Sequence, residues 1–258
     1  MIKEPDSRLV RRVHAAANCE PRRGGVRPDM LLLHYTGMVS CERAIDWLAR
    51  AESRVSCHYV VDVDGTITQM VAEADRAWHA GAGSWGGETD VNSRSIGIEI
   101  HNPGHELGYP DFPLPQMQAV AALSRDIVSR NGIAPERVLA HSDIAPDRKI
   151  DPGEKFDWAW LAGEGVGHWV MPEPILDAVA ERLYAPTPAE VAQVQRDLAA
   201  YGYGVDVTGE PDARTASVVA AFQRHFRPAR VDGRIDLSTR ATLTRLLEAL
   251  PACRRESR

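Results

Sequence analysis

Two short apolar runs that each end on a histidine constrain this chain more than any other feature: Met30-Leu31-Leu32-Leu33 leads into His34, and Val138-Leu139-Ala140 leads into His141. A short, continuously apolar run is the pattern of a strand covered on both faces. If two such strands are parallel neighbours, both imidazoles leave the sheet at one edge, where open α/β sheets keep their sites. The rest of residues 30–160 fits that frame. Cys57 to Val63, Asp64-Gly65 and Thr66 to Met70 predict a hairpin, because Asp-Gly supplies the positive φ of a tight turn. Ser95 to Ile100 predicts a further strand. Cys41 to Ala51 and Pro115 to Asn131 carry apolar residues at helical spacing, the second stopped by Gly132. The expected class is α/β.

After Trp160 the composition shifts. Gly163, Gly165 and Gly167, then Pro172, Pro174, Pro186 and Pro188, surround one short helical segment and predict a linker. Residues 189–250 carry a weak internal repeat, in which Gly209 and Gly233 stand six positions ahead of Thr215 and Thr239. Each threonine opens an apolar-periodic helix, and its hydroxyl is expected to cap that helix's orphan amides. With Ala189 to Tyr201 this predicts a small three-helix unit, better suited to binding than to catalysis.

His34, His141 and Asp151 form a candidate metal tripod. Two neutral imidazoles and one carboxylate suit Zn²⁺ and leave a fourth position for water, as catalytic rather than structural zinc requires. The alternative makes both histidines hydrogen-bonded core residues and Asp151 the cap of a turn in the segment HSDIAPDRKIDPG, which its prolines predict to be a fixed loop. In Ser95–Ile100 the isoleucines share one face and Gly97 and Glu99 the other. A carboxylate in so apolar a strand is costly unless paired or near a cation, and the neighbouring glycine leaves room for a ligand. Glu99 is thus a candidate proton acceptor, the alternative being a solvated side chain. Lys149 is a candidate for stabilising an oxyanion, with a surface lysine paired to Asp143 or Asp147 as its alternative.

These stretches resemble the zinc-dependent N-acetylmuramoyl-L-alanine amidases of the type 2 amidase fold, shared with peptidoglycan recognition proteins. LLLHYTG at 31–37, SCHYVVDVDGTITQMV at 56–71, RAWHAG at 76–81, NSRSIGIEI at 92–100 and AHSDIAPDRKIDPG at 140–153 carry the resemblance in order. It implies a mixed central sheet flanked by helices, zinc on His34, His141 and Asp151, Glu99 as the catalytic carboxylate and Lys149 as the oxyanion-stabilising lysine. It also implies that His79 and Ala80 line the substrate groove. An aspartate third ligand resembles the bacterial recycling and cell-wall amidases rather than the recognition proteins, which use cysteine there. Residues 189–250 resemble a three-helix peptidoglycan-binding domain. The expected division is a zinc amidase domain at 1–165, a linker at 166–188 and the binding domain at 189–252. The partners implied are peptidoglycan or muropeptide fragments, and the rival reading is a catalytically silent sensor of such fragments.

Other classes are excluded or disfavoured. A formal net charge of -6 over 258 residues gives no field to attract a polyanion, so no nucleic-acid partner is expected. No apolar run reaches the roughly 18 residues of a membrane span. The opening MIKEPDSRLVRR lacks an apolar stretch behind its charges, and Cys19, Cys41, Cys57 and Cys253 are too sparse for a disulfide framework. Both predict a cytoplasmic protein, with the periplasm or envelope as alternative. GAGSWG at 81–86 matches a dinucleotide fingerprint but follows no strand and opens no helix, and neither GxSxG nor a P-loop occurs.

Overall fold

The computed structural model describes residues 2, 4–175 and 183–250. The short helical segment expected within the linker, Cys253 and the last two positions of the 189–252 unit lie wholly or mostly outside the described residues.

The apolar runs become the centre of a six-stranded sheet. β1 (Arg12–Val13), β3 (Met30–Tyr35), β4 (Tyr59–Val61), β5 (Ile67–Gln69), β7 (Ser95–Ile100) and β8 (Val138–Ala140) lie in the order β1-β5-β4-β7-β3-β8. Only the β4–β5 hairpin is antiparallel, so the sheet is mixed. Gly65 turns that hairpin at φ 85°, as the Asp-Gly pair predicts. β2 (Cys19–Pro21) and β6 (Asp75–Ala77) pair antiparallel in a separate ribbon.

Side chains alternate across the sheet. Leu31, Leu33, Ile96, Ile98 and Ile100 pack against Met117, Val120, Leu123 and Ile127 of α3 (Leu114–Asn131). On the opposite face, α1 (Cys41–Ala49) covers Val60 with Ile45 and Leu48, and Ser40 caps it by accepting from the Arg43 amide. α2 (Val91–Arg94), α4 (His141–Ile144) and α5 (Trp158–Gly163) are short connections around the strands.

Met30 and Leu32 share that second face with His34 and pack into one apolar cluster with the C-terminal helices. These are α6 (Pro188–Tyr201), α7 (Ala213–Phe226) and α8 (Leu237–Glu248), which contribute Val194, Leu198, Phe222 and Leu246. Trp85 is buried in the same cluster, edge-on to Tyr203. The three helices are therefore built onto the sheet. The start of the expected linker is also packed: Val166 is buried, and Trp169 touches the clusters on both faces.

The expected capping by Thr215 and Thr239 is corrected. Asp212 and Asp236 cap α7 and α8, each accepting from the amide of the threonine three positions on. The threonine hydroxyls instead accept from Gln195 Nε2 (2.8 Å) and Gln223 Nε2 (3.1 Å). Each glutamine's Oε1 takes two turn amides, Thr208 and Gly209 for Gln195, Asp232 and Gly233 for Gln223. The repeat seen in the sequence is thus a glutamine clasp made twice.

Candidate metal and catalytic centre

β3 and β8 run parallel with Leu33 opposite Ala140, so His34 and His141 emerge side by side. Their Nδ1 atoms lie 2.9 Å apart. Asp151 Oδ2 is 3.2 Å from the first and 3.0 Å from the second. All three residues are buried. The segment carrying two of them is not wholly a loop as expected: His141 opens the single turn α4, and the Ser142 amide donates to the Asp151 carbonyl.

Proton positions follow from the surrounding bonds. Ser95 Oγ donates to the Val91 carbonyl (2.7 Å), so it accepts from His79 Nε2 (3.2 Å). His79 Nδ1 is then an acceptor, and His34 Nε2–H donates to it across 3.0 Å. His141 Nε2–H donates to the Ala80 carbonyl at 3.0 Å. Both Nδ1 lone pairs therefore face each other and a carboxylate oxygen with no proton between them. Three acceptors this close repel unless a cation joins them, and donors at about 2.0–2.2 Å from one tetrahedral ion stand roughly 3.3 Å apart. The donor set fits a divalent metal. Burial, then the neighbouring His141, pushes the His34 pKa down to about 4, which keeps its imidazole neutral.

Glu99 stands opposite His34 in the β3–β7 register, on the same face. Its Oε2 is buried without a hydrogen-bond partner. Burial, then the Asp151 charge, pushes this carboxyl well above its usual range, with Lys149 acting the other way. Glu99 and Lys149 both line a cavity of about 650 Å³ over the tripod, one wall of which is Ala44, Trp47, Leu48 and Val55. A second cavity of about 420 Å³ shares His79, His141, Arg148 and Lys149 and adds Arg23, Arg54 and Arg76.

Two readings of the sequence need correction. Lys149 does not pair with Asp143 or Asp147: Asp143 is buried against His225, and Asp147 pairs with Arg214. The space beside Gly97 holds the His79 ring, since a Cβ at Gly97 would lie 2.5 Å from His79 Nδ1. Ala80 lines the second cavity beside His79; its side chain is fully buried, and its carbonyl accepts from His141 Nε2 and from Arg148.

Sequence reasoning missed Arg22 and His58. Buried Arg22 donates to the carbonyls of Glu73, Ser93 and Ser95, tying the ribbon to the entry of β7. His58 Nδ1 accepts from the Gly97 amide, just behind the His79 ring. Arg22 carries no sequence signal beyond its residue type, whereas His58 lies in the SCHYVV stretch of the family resemblance, which could have drawn attention to it.

A sequence profile described as N-acetylmuramoyl-L-alanine amidase matches residues 24–154, and one for a peptidoglycan binding domain matches residues 187–243. The chain is 39% identical to the N-acetylmuramoyl-L-alanine amidase AmiD of Escherichia coli over 237 residues, 86% of this chain and 83% of that protein. A solved complex of AmiD from E. coli with anhydro-N-acetylmuramic acid-L-Ala-D-gamma-Glu-L-Lys superposes with a TM-score of 0.73 at 37% identity, over 89% of this chain and 92% of that one. AmpDh3 from Pseudomonas aeruginosa, in complex with anhydromuramic pentapeptide, gives 0.75 at 34% identity, over 90% and 96%.

Proposed function

The chain belongs to the N-acetylmuramoyl-L-alanine amidase family, and from that premise we propose that it cuts the lactyl–L-alanine amide of soluble anhydromuramyl peptides, with His34, His141 and Asp151 as zinc ligands. One observation carries the reading: two imidazole lone pairs and a carboxylate oxygen converge within 3.2 Å beneath a cavity that also holds Glu99 and Lys149. A silent sensor has no use for a carboxylate with a buried, unpaired oxygen beside such a tripod.

When bound, a divalent ion supplies Lewis-acid polarisation of the scissile carbonyl and makes water acidic near neutral pH. Glu99 Oε2 takes the proton of the attacking water and passes it to the leaving amide nitrogen. Its upward-shifted carboxyl brings donor and acceptor roles closer to working pH. The Lys149 ammonium balances the charge gathering on the carbonyl oxygen. His79 and the Ala80 carbonyl hold the two imidazoles in the productive tautomer.

The anhydromuramyl peptides held by the two solved relatives support that substrate class. Residues 1–165 form the catalytic domain in this reading, 166–188 the linker and 189–252 the binding domain. No helix among the described residues is long and apolar enough to cross a membrane. The three described cysteines are free, which accords with a reducing compartment and a cytoplasmic place of action.

Mass spectrometry of products tests the proposal, with anhydromuramyl peptides and purified sacculi offered in parallel, each with and without chelator. Chelator-sensitive release of free stem peptide from the fragments is expected. Release from sacculi alone contradicts the substrate class, and no release from either favours the sensor.

A further inference from the structure

Asp143 lies in the first turn of α4, two residues after His141, and is almost fully buried. Its Oδ2 accepts from the Ala140 amide (2.8 Å) and from His225 Nδ1 (2.7 Å), and its Oδ1 from the Tyr203 hydroxyl (2.7 Å). His225 belongs to α7 and Tyr203 to the turn after α6, so two of the three bonds come from the C-terminal helices. The His225 ring stacks on Trp158 with centroids 3.7 Å apart and on Phe226 at 3.9 Å, which fixes its plane and aims Nδ1 at the carboxylate. A helix of one turn has little stability of its own. A carboxylate stripped of its donors cannot remain buried, because the desolvation cost is then uncompensated. Without that grip Asp143 turns toward water and takes the first turn of α4, with His141, along.

We propose that His225 and Tyr203 are positioning residues for the metal ligand His141, acting through Asp143, so that the C-terminal helices complete the scaffold of the catalytic centre in addition to any contact they make with the cell wall. The inference rests on His141 being a metal ligand. It assigns a catalytic consequence to a contact between the helical region and the sheet, and neither His225 nor Tyr203 belongs to the tripod or to the Glu99–Lys149 pair.

The test measures zinc dissociation constants by chelator competition for the full chain and for Tyr203→Phe, His225→Leu, His225→Asn and the Tyr203→Phe/His225→Leu double variant. Thermal midpoints are taken in parallel. Losing partners that orient a ligand typically weakens metal binding about 10–100-fold. The double variant is expected to fall in that range, and Tyr203→Phe, which deletes one oxygen, to fall several-fold. His225→Asn places an amide N–H where Nδ1–H stood and is expected to bind zinc more tightly than His225→Leu, although it loses the ring stacking. kcat should fall with KM for an anhydromuramyl peptide little changed.

Variants with lowered midpoints but wild-type zinc affinity overturn the proposal, because that pattern is ordinary packing. So does His225→Asn binding no better than His225→Leu. A wild-type chain that fails to bind one equivalent of zinc overturns the tripod reading and the clamp with it, whereas binding that every variant matches overturns the clamp alone.

Discussion

His34 Nε2 sits 3.0 Å from His79 Nδ1, and that contact decides which nitrogen of His34 faces the cavity. With Ser95 Oγ behind it, His79 can only accept, so His34 keeps its proton on Nε2 and offers Nδ1. His79→Ala removes the acceptor and frees the other tautomer. Zinc affinity is expected to fall about 10–100-fold by chelator competition. Unchanged affinity would show that the ring orientation is set elsewhere.

Gly97 gives His79 its space. An added methyl would come within 2.7 Å of three ring atoms. Gly97→Ala is expected to cost roughly 1–3 kcal/mol, as overpacking does, and to reduce kcat/KM. The same substitution on a His79→Ala background is expected to cost much less stability, because the clash is gone. Urea unfolding of the four chains measures this coupling, and additive costs would mean that the strain lies in the strand.

Acid sensitivity has an identifiable source on the far side of the sheet. Burial pushes the Glu73 carboxyl up, but Arg130, the Tyr59 hydroxyl and Asn131 together hold it below its usual value. A folded pKa below the unfolded one, about 4.3, contributes stability at neutral pH that is lost as pH falls through the folded value. Glu73→Gln is therefore expected to be less stable than wild type at pH 7 and to approach it below about pH 4. Urea midpoints across that range check this, and a gap that widens with acid contradicts it.

Metal should stabilise the fold as well as the reaction. A ligand at 100 times its dissociation constant contributes about 2.7 kcal/mol, on the order of 5–10 °C in Tm for a chain of this size. Scanning calorimetry of stripped and zinc-reloaded protein measures it. A Tm independent of zinc would separate the tripod from metal binding.

The centre of the fold was legible because β3, β7 and β8 are apolar runs whose ends carry the chemistry. The convergence of His34 and His141 followed once parallel neighbouring strands were assumed, and the structure supplies that register and adds Glu99 opposite His34. β1, β2 and β6 were not legible, since strands of two or three residues such as Arg12–Val13 show no periodicity. Arg22 stands in a polar stretch with no local pattern to mark it as the buried brace that it is. Thr215 and Thr239 were misassigned because aspartates three positions earlier cap the helices, leaving the hydroxyls to distant glutamines. The Asp143–His225 contact joins residues 82 positions apart, beyond the reach of any local pattern.

Glu99 is where the proposed chemistry is most exposed to a single test. Its orphaned Oε2 is the atom assigned to carry the proton from water to the leaving nitrogen. The measurement is turnover of an anhydromuramyl peptide by Glu99→Gln, purified alongside wild type with the zinc content of both determined. One equivalent of zinc with turnover reduced about 10²–10⁴-fold is the predicted result. Zinc-loaded Glu99→Gln working within tenfold of wild type would contradict the assignment and move the proton-carrying role elsewhere in the cavity.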